Sequence, residues 1–243
     1  MTAAPPFVIF IPHTVTTKQN MRTKTLLIAA AALVAGVISS EAQTPVYSAN
    51  VVGYVSATTT NGYALLSNPL DFDGSGTNNT VVNLFGTNLP VGTQIETWNP
   101  SSGFSGNSYA ATKSGNQWQN PSQQLPPGQG FFILSSAVRT NTFTGTVLQG
   151  GLTNQFLTGA GYSLISGNFP VAGGITTTYG YHPSVGDQVE TWSPATGFSG
   201  NSYAATKSGN QWQNGEPQIT PGQGIFLLTT NTHPVMGTNF VVQ

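Results

Sequence analysis

Two aspartates in the stretch DFDGSG, at residues 71–76, have the spacing with which a calcium-binding loop begins. Carboxylates at positions i and i+2, followed by a glycine that permits a tight turn, bring their oxygens together around a Ca²⁺ ion. A complete loop of this type has a bidentate acid at its twelfth position, where this chain has Val82. Asp71 and Asp73 are therefore a candidate for a weak structural Ca²⁺ site. The alternative, a polar turn that contains two aspartates, is favoured, and no other cofactor is expected.

A set of aromatic residues that occurs twice is the second candidate site: Trp98, Tyr109 and Trp118, then Trp192, Tyr203 and Trp212. Flat rings beside Asn, Gln and Ser are the ingredients of a carbohydrate site, which needs apolar surface and a few convergent polar groups. The alternative, which we favour, is that these rings pack in the core or at the rim of small β-modules. Because its neighbours on both sides are polar, Trp118 is expected to be the most exposed ring.

The acidic residues do not form an obvious catalytic pair. Glu96 and Glu190 are duplicated together with Lys113 and Lys207, and we expect cross-strand ion pairs. Glycoside hydrolysis needs two convergent carboxylates. The second acid would have to differ between the copies, being Asp71 or Asp73 in the first and Asp187 or Glu216 in the second. The sequence also lacks a GxSxG elbow, an HExxH helix and a phosphate-binding glycine loop, so we expect no enzyme.

These residues recur because the chain contains a long internal repeat. Residues 103–120 (GFSGNSYAATKSGNQWQN) return letter for letter as residues 197–214, an offset of 94 residues. A repeat of this length indicates two copies of one structural unit. We therefore predict a first β-module over residues 43–149 and a second over residues 150–243, preceded by an upstream extension and signal peptide over residues 1–42.

The pattern within each copy predicts strands and turns. QIETW at residues 94–98 and QVETW at 188–192 alternate as half-buried strands do, whereas FFIL at 131–134 and IFLL at 225–228 indicate strands buried on both faces. Residues 81–85 and 175–181 are also predicted to be β-strands. Pro127–Gly128 and Pro221–Gly222 suit the central positions of type II turns. The predicted fold is all-β, with two tandem small β-sandwiches, or alternatively partly open barrels, after a signal-peptide helix.

The amino-terminal residues have the layout of a secretory signal peptide. Met21 is the expected start, Arg22 and Lys24 form a positive region, and residues 26–37 are an apolar run of 12 residues. Ser40 and Ala42 frame a small-x-small cleavage site. The run is shorter than the roughly 20 residues that span a membrane. We therefore expect a secreted, periplasmic or cell-surface product with no membrane span after cleavage.

Composition excludes several classes of partner and chemistry. Charged residues make up only 5% of the chain, so the clustered Lys and Arg of a nucleic-acid surface are missing. The absence of cysteine excludes a disulfide framework. Aromatic residues make up 10% of the chain, and there are 29 glycines and 16 prolines, which suits apolar cores joined by many turns. Weakly charged edge strands also predict self-association.

Several segments together resemble a loosely defined group of bacterial exported β-repeat proteins. They are VYSANVVGY near residue 46, GYALLSNPL and GYSLISGNF, the QIETW and QVETW strands, and PGQGFF and PGQGIF. The resemblance covers nearly the whole chain after the signal peptide and implies export and β-architecture, with no activity attached. We therefore expect a non-enzymatic exported protein with a structural, adhesive or matrix-interaction role. The alternative is a carbohydrate-binding protein, and the expected partner is a polysaccharide or another envelope or extracellular component.

Overall fold

A computed structural model describes residues 51–242 of this chain, and the segment assigned to export lies outside that range. The first copy contains β1 (Val52–Thr59), β2 (Gly62–Ser67), α1 (Val81–Phe85), β3 (Gln94–Asn99), β4 (Gly103–Thr112), β5 (Gly115–Trp118), β6 (Gly130–Ser135) and β7 (Arg139–Thr146). The second contains β8 (Gly150–Thr153), β9 (Gly161–Ile165), β10 (Gly173–Gly174), β11 (Gln188–Ser193), β12 (Gly197–Thr206), β13 (Gly209–Trp212), β14 (Gln218–Ile219), β15 (Ile225–Thr229) and β16 (Gly237–Phe240).

The strands confirm the all-β fold, and their arrangement is that of packed sandwiches. Each copy has one five-stranded antiparallel sheet, ordered β2-β6-β3-β4-β5 in the first and β9-β15-β11-β12-β13 in the second. A two-stranded ribbon, β1–β7 or β8–β16, lies in the same copy. Neither five-stranded sheet of the described residues closes on itself.

Alternation along β3 divides its side chains between two environments, as the sequence predicts. Ile95 is fully buried in the core of the first copy, whereas its neighbour Glu96 points to the opposite face and is partly exposed. Successive side chains of a strand point to opposite faces of a sheet. Each five-stranded sheet therefore has one face on its own core and another face available for a second contact.

The strands β6 and β15 are buried on both faces, which confirms the prediction from their continuous apolar sequences. Phe131 and Ile133 belong to the core of the first copy, together with Phe143 of the ribbon. Phe132, between them, belongs to a different cluster, together with Phe226 and one leucine from each copy. The faces of the two sheets that do not cover their own cores therefore pack against each other, and the copies form one compact unit.

The short strand predicted over residues 81–85 is wrong, because this segment is the helix α1. The Thr80 hydroxyl accepts a hydrogen bond from the backbone N–H of Asn83 at 3.3 Å and caps the first turn. Val81 and Leu84, three residues apart, both reach the core. A short apolar run fits a strand and a buried helical turn equally well. Residues 175–181, also predicted as a strand, form turns that bury Tyr179 and Tyr181.

Reciprocal backbone contacts join the copies at the predicted type II turns. Gly128 and Gly222 have φ angles of 91° and 84°, as the third residue of a type II turn requires. In each turn the backbone N–H of the fourth residue donates to the carbonyl of the first. The carbonyl of Gly222 accepts from the N–H of Ser67 at 3.0 Å, and that of Gly128 accepts from Ser166 at 3.0 Å. The edge strands β2 and β9 are thus each covered by a turn of the other copy.

Candidate functional site

An open groove lies where the two sheets meet, with a volume of about 340 Å³, and we call it the aromatic groove. Its lining consists of five pairs of equivalent residues, with one member of each pair from either copy: Tyr63 and Tyr162, Glu96 and Glu190, Trp98 and Trp192, Phe104 and Phe198, Phe132 and Phe226. The groove therefore has an internal two-fold relationship that follows from the repeat in the sequence.

Strand register places these side chains beside one another. Trp98 lies on the same face of β3 as Glu96 and directly opposite Phe104 of β4. The two rings meet edge to face with centroids 4.9 Å apart, and Trp192 and Phe198 repeat this contact at 4.8 Å. Directly opposed aromatic pairs of this kind stabilise a sheet. The wall of the groove is therefore a regular consequence of two antiparallel pairings.

The floor of the groove is formed by Phe132 and Phe226, one from each copy. They are only 5% and 6% exposed, and their centroids lie 6.2 Å apart. Each floor ring also contacts the tryptophan of the other copy: Trp98 lies 5.7 Å from Phe226, and Trp192 lies 5.6 Å from Phe132. The aromatic contacts therefore cross between the copies throughout the floor.

The upper walls remain open to solvent. Phe104 and Phe198 are 49% and 47% exposed, and Tyr63 and Tyr162 are each 37% exposed. Four large rings around one depression form an exposed apolar patch, which makes the groove a candidate contact surface.

Both tryptophans are held in place by hydrogen bonds across the copies. The indole Nε1 of Trp98 donates to the carbonyl of Tyr162 at 2.9 Å, and that of Trp192 donates to the carbonyl of Tyr63 at 3.0 Å. An indole has only one N–H donor, so neither tryptophan has a further donor for a ligand. These bonds fix the ring orientations before anything binds.

Each glutamate of the groove accepts a hydrogen bond from a tyrosine of its own copy. The hydroxyl of Tyr63 donates to Glu96 Oε1 at 3.1 Å, and that of Tyr162 donates to Glu190 Oε1 at 3.1 Å. Burial, the hydrogen bond and the negative charge of the glutamate all raise the pKa of each tyrosine. The hydroxyls therefore stay protonated and remain the donors in these two hydrogen bonds.

The predicted ion pairs of these glutamates with lysine are wrong. Glu96 lies opposite Gly106 and Phe132 in the sheet, and Lys113 lies in the exposed turn beyond the paired residues of β4. Lys207 occupies the same position in the second copy. Among the described residues, the glutamates of the groove have tyrosine partners instead.

The predicted exposure of Trp118 is also wrong. Trp118 is 2% exposed, Trp212 is 7% exposed and Tyr109 is 1% exposed, so these rings belong to the cores. The polar neighbours of Trp118 do point to solvent, but the indole turns inward and donates to the carbonyl of Gly86 at 3.0 Å. Alternation along a strand gives neighbours opposite exposure. Burial removes Trp118 and Trp212 as sugar-stacking residues.

Tyr203, the remaining ring of the predicted set, is partly exposed and lines a separate polar depression with Trp212, His182 and Glu216. The carboxylate of Glu216 accepts from the backbone N–H groups of Thr176 and Thr177 at 2.6 and 2.7 Å. These bonds occupy the acid in holding a loop. Of the predicted aromatic set, therefore, only Trp98 and Trp192 lie in the aromatic groove.

The candidate calcium residues lie in a loop whose oxygens already accept hydrogen bonds. Asp71 accepts from the N–H of Gly76 at 2.8 Å and from the side chain of Asn79 at 3.0 Å. Asp73 accepts from the N–H of Ser75 at 3.0 Å and from the side chain of Asn78. Within residues 51–242, no group of three or more His, Cys, Asp or Glu side chains is placed to hold a metal ion. The calcium site stays a prediction.

Reasoning from the sequence missed most of the groove: Tyr63 and Tyr162, Phe104 and Phe198, Phe132 and Phe226. The one available signal was the polar sequence around Phe104, where Ser and Gly neighbours and strand alternation favour an exposed ring. The pairing of Glu96 with Glu190 in one depression had no signal, because it depends on how the copies pack.

Comparison of this chain with protein-family models, with curated proteins and with solved structures finds no match. Over residues 51–242, no helix has the length and apolar character needed to cross a membrane.

Proposed function

We propose that this chain is an exported, non-enzymatic binding protein with an adhesive or matrix-interaction role in the envelope or outside the cell, and that it holds its partner in the aromatic groove. The observation that supports this function is the set of four exposed rings above a fixed aromatic floor. Aromatic side chains supply large contact area with few rotatable bonds, which is why they dominate binding surfaces.

Preorganisation of the groove supports the same proposal. The hydrogen bonds of Trp98 and Trp192 cross between the copies, so the walls are held by residues that lie far apart in the sequence. A surface that is ordered before binding loses less conformational entropy when the partner arrives. A role limited to internal packing would not require rings that remain nearly half exposed.

The equivalence of the two carboxylates favours binding over catalysis. Glu96 and Glu190 each accept from a tyrosine at the same distance, and both line one groove. Glycosidases with two carboxylates assign the roles of acid and of base or nucleophile to residues in different surroundings. Two acids in matching surroundings lack that asymmetry.

The test is co-sedimentation of the purified protein with insoluble envelope and extracellular-matrix fractions. The variant Phe104→Ala with Phe198→Ala is expected to lower the association constant by about tenfold or more, since central aromatic contacts dominate binding energy. Val91→Ala with Val185→Ala is the matched control, because these valines are 51% and 48% exposed, occupy equivalent positions in the two copies and lie outside the groove. Equal binding by the groove variant and the control would contradict the proposal.

Carbohydrate binding is the second candidate function. The exposed rings of the groove, and not the buried Trp118 and Trp212, would then stack on the sugar. Titration with soluble polysaccharides would test it with the same two variants. Specific binding that the Phe104→Ala, Phe198→Ala variant loses and the valine control keeps would support it. Binding that neither variant changes would place any sugar contact elsewhere.

A further inference from the structure

We propose that the ligand of the aromatic groove is a linear aliphatic diamine, with one ammonium group at Glu96, the other at Glu190, and the carbon chain over the floor rings. This inference deepens the proposed function, because it rests on the same groove and names the chemistry that the groove recognises.

The charge of the lining favours a cation. The groove contains two carboxylates, and none of the five basic side chains of the described residues, Lys113, Arg139, His182, Lys207 and His233, lines it. Aromatic rings line the groove together with the carboxylates. An ammonium group over the face of such a ring, within about 6 Å of its centroid, is attracted to it. An anionic ligand would meet two carboxylates with no compensating charge.

The hydrogen-bonding capacity of the lining favours a ligand rich in donors. Four lining side chains carry an N–H or O–H group, and all four already donate: the tryptophans to backbone carbonyls and the tyrosines to the glutamates. What remains is the accepting capacity of the carboxylates. A primary ammonium brings three donors and no acceptor. A sugar hydroxyl would find acceptors here but no free side-chain donor for its own oxygen.

The two-fold relationship favours two ammonium groups on one molecule. Both glutamates line the same groove, and each accepts a hydrogen bond from a tyrosine of its own copy. Once the first ammonium group is bound, the second binds at a high effective concentration. The volume of about 340 Å³ lies at the small end of the range of roughly 300–1,000 Å³ for small-molecule sites. It therefore suits a narrow aliphatic chain that carries ammonium groups better than a strand or helix of another protein.

Isothermal titration of the purified protein with four compounds of the same chain length tests the ligand class. Cadaverine carries two ammonium groups, pentylamine one, pentanediol two neutral hydroxyls and glutarate two carboxylates. We expect cadaverine to bind at least about tenfold more tightly than pentylamine, since linked binding groups gain avidity. We expect no binding of glutarate or pentanediol. Equal affinity for cadaverine and pentanediol would overturn the proposal.

Variants of the glutamates test the placement. Glu96→Gln or Glu190→Gln, each close to isosteric, should reduce the affinity for cadaverine to that for pentylamine, and the double variant should abolish binding of both amines. Lys113→Gln with Lys207→Gln is the control, because it changes charge at exposed turns outside the groove. Retention of cadaverine binding by the double glutamine variant would overturn the proposal.

The control also separates a free diamine from a lysine side chain of a second copy. If the groove holds such a lysine, the protein will form a dimer that dissociates in the Lys113→Gln, Lys207→Gln variant and in excess cadaverine, and this outcome would overturn the proposal. Failure of the ligand class differs from failure of the function. If the Phe104→Ala, Phe198→Ala variant loses matrix binding but the wild-type protein does not bind cadaverine, only the proposal of a diamine ligand is contradicted. Glutamate-dependent cadaverine binding without matrix binding removes the adhesive role alone.

Discussion

Residues 103–120 and 197–214 have the same sequence but different surroundings. They form the same strands, β4 with β5 and β12 with β13, in the same register. In the first copy Tyr109 and Asn107 are buried at 1% and 3% exposure, whereas their equivalents Tyr203 and Asn201 are partly exposed. The identical sequences therefore form the same strands, whereas the burial of their side chains depends on residues outside the repeated segment.

The difference comes from the segments that precede the repeat. In the first copy, α1 places Phe85 against Trp118 with centroids 6.3 Å apart, and the indole donates to a backbone carbonyl at 3.0 Å. In the second copy a turn takes the place of the helix, and Trp212 has only the Thr176 hydroxyl at 3.4 Å. The first copy thus seals its core, and the second leaves the polar depression at the corresponding place.

The largest expected effect is the removal of the buried tryptophans. Trp118→Ala should lower the free energy of unfolding by about 3–5 kcal/mol, because it leaves a closed cavity beneath α1. Trp212→Ala should cost less, because part of the vacated volume opens to the depression and fills with water. Urea denaturation followed by circular dichroism measures both. Equal losses of unfolding free energy would show that the segments preceding the repeat do not decide how much each tryptophan contributes, and would contradict the proposed difference between the copies.

A second effect concerns a place where the copies are alike. Gly130 and Gly224 are equivalent residues that approach the backbone of the other copy: an added methyl group would lie 2.9 Å from the carbonyl oxygen of Ile165 or 2.6 Å from that of Leu66. Alanine at either position should destabilise the protein by about 1–3 kcal/mol, with Gly224→Ala the worse.

Thermal unfolding checks this prediction, with Gly151→Ala as the control, because a methyl group at Gly151 would enter open space. If Gly130→Ala and Gly224→Ala both match the control, the contact between the copies is not close.

A third effect concerns a buried network found in the second copy. Asp187 is fully buried and accepts from the Tyr181 hydroxyl at 2.5 Å and from the N–H groups of Ser184 and Thr230 at 2.7 Å each, whereas Thr93 stands at the equivalent position. Asp187→Asn would turn an amide NH₂ toward these donors, and each donor left unpaired costs about 1–3 kcal/mol. Thr93→Val, which removes one hydroxyl, is the matched change in the first copy and should cost less.

The effect of Asp187 depends on pH. Burial alone would raise the pKa of Asp187, but the hydrogen bonds from Tyr181, Ser184 and Thr230 together lower it. A lowered pKa in the folded state stabilises the protein above the unfolded value of about 3.9, and that contribution is lost as the pH falls through the folded value. The difference between wild type and Asp187→Asn should therefore be full near pH 7 and shrink below about pH 4. A constant difference would contradict this.

The sequence was sufficient for the features that depend on local pattern. Alternation in QIETW places Ile95 in the core, and the continuous apolar run of β6 indicates burial on both faces. The sequence could not show what covers the second face of β6, because Phe132 on that face packs against Phe226 of the other copy. Likewise the sequence pointed to both Trp98 and Glu96, but it predicted carbohydrate binding for Trp98 and an ion pair for Glu96. The indole of Trp98 bonds to a carbonyl 64 residues away, and no local pattern specifies that contact.

The smallest expected effect isolates a single hydroxyl in the identical segments. Tyr109→Phe should lower the free energy of unfolding by about 0.5–1.5 kcal/mol, because the buried hydroxyl bonds to the carbonyl of Thr87 and that acceptor would lose its partner. Tyr203→Phe, the same change in the same eighteen-residue sequence, should stay within about 0.5 kcal/mol, as is usual for partly exposed positions. Paired urea titrations under identical conditions measure the difference. Because the sequences match, any inequality must come from the covering segment, and a larger loss for Tyr203→Phe would reverse the assignment of the first copy as the sealed one.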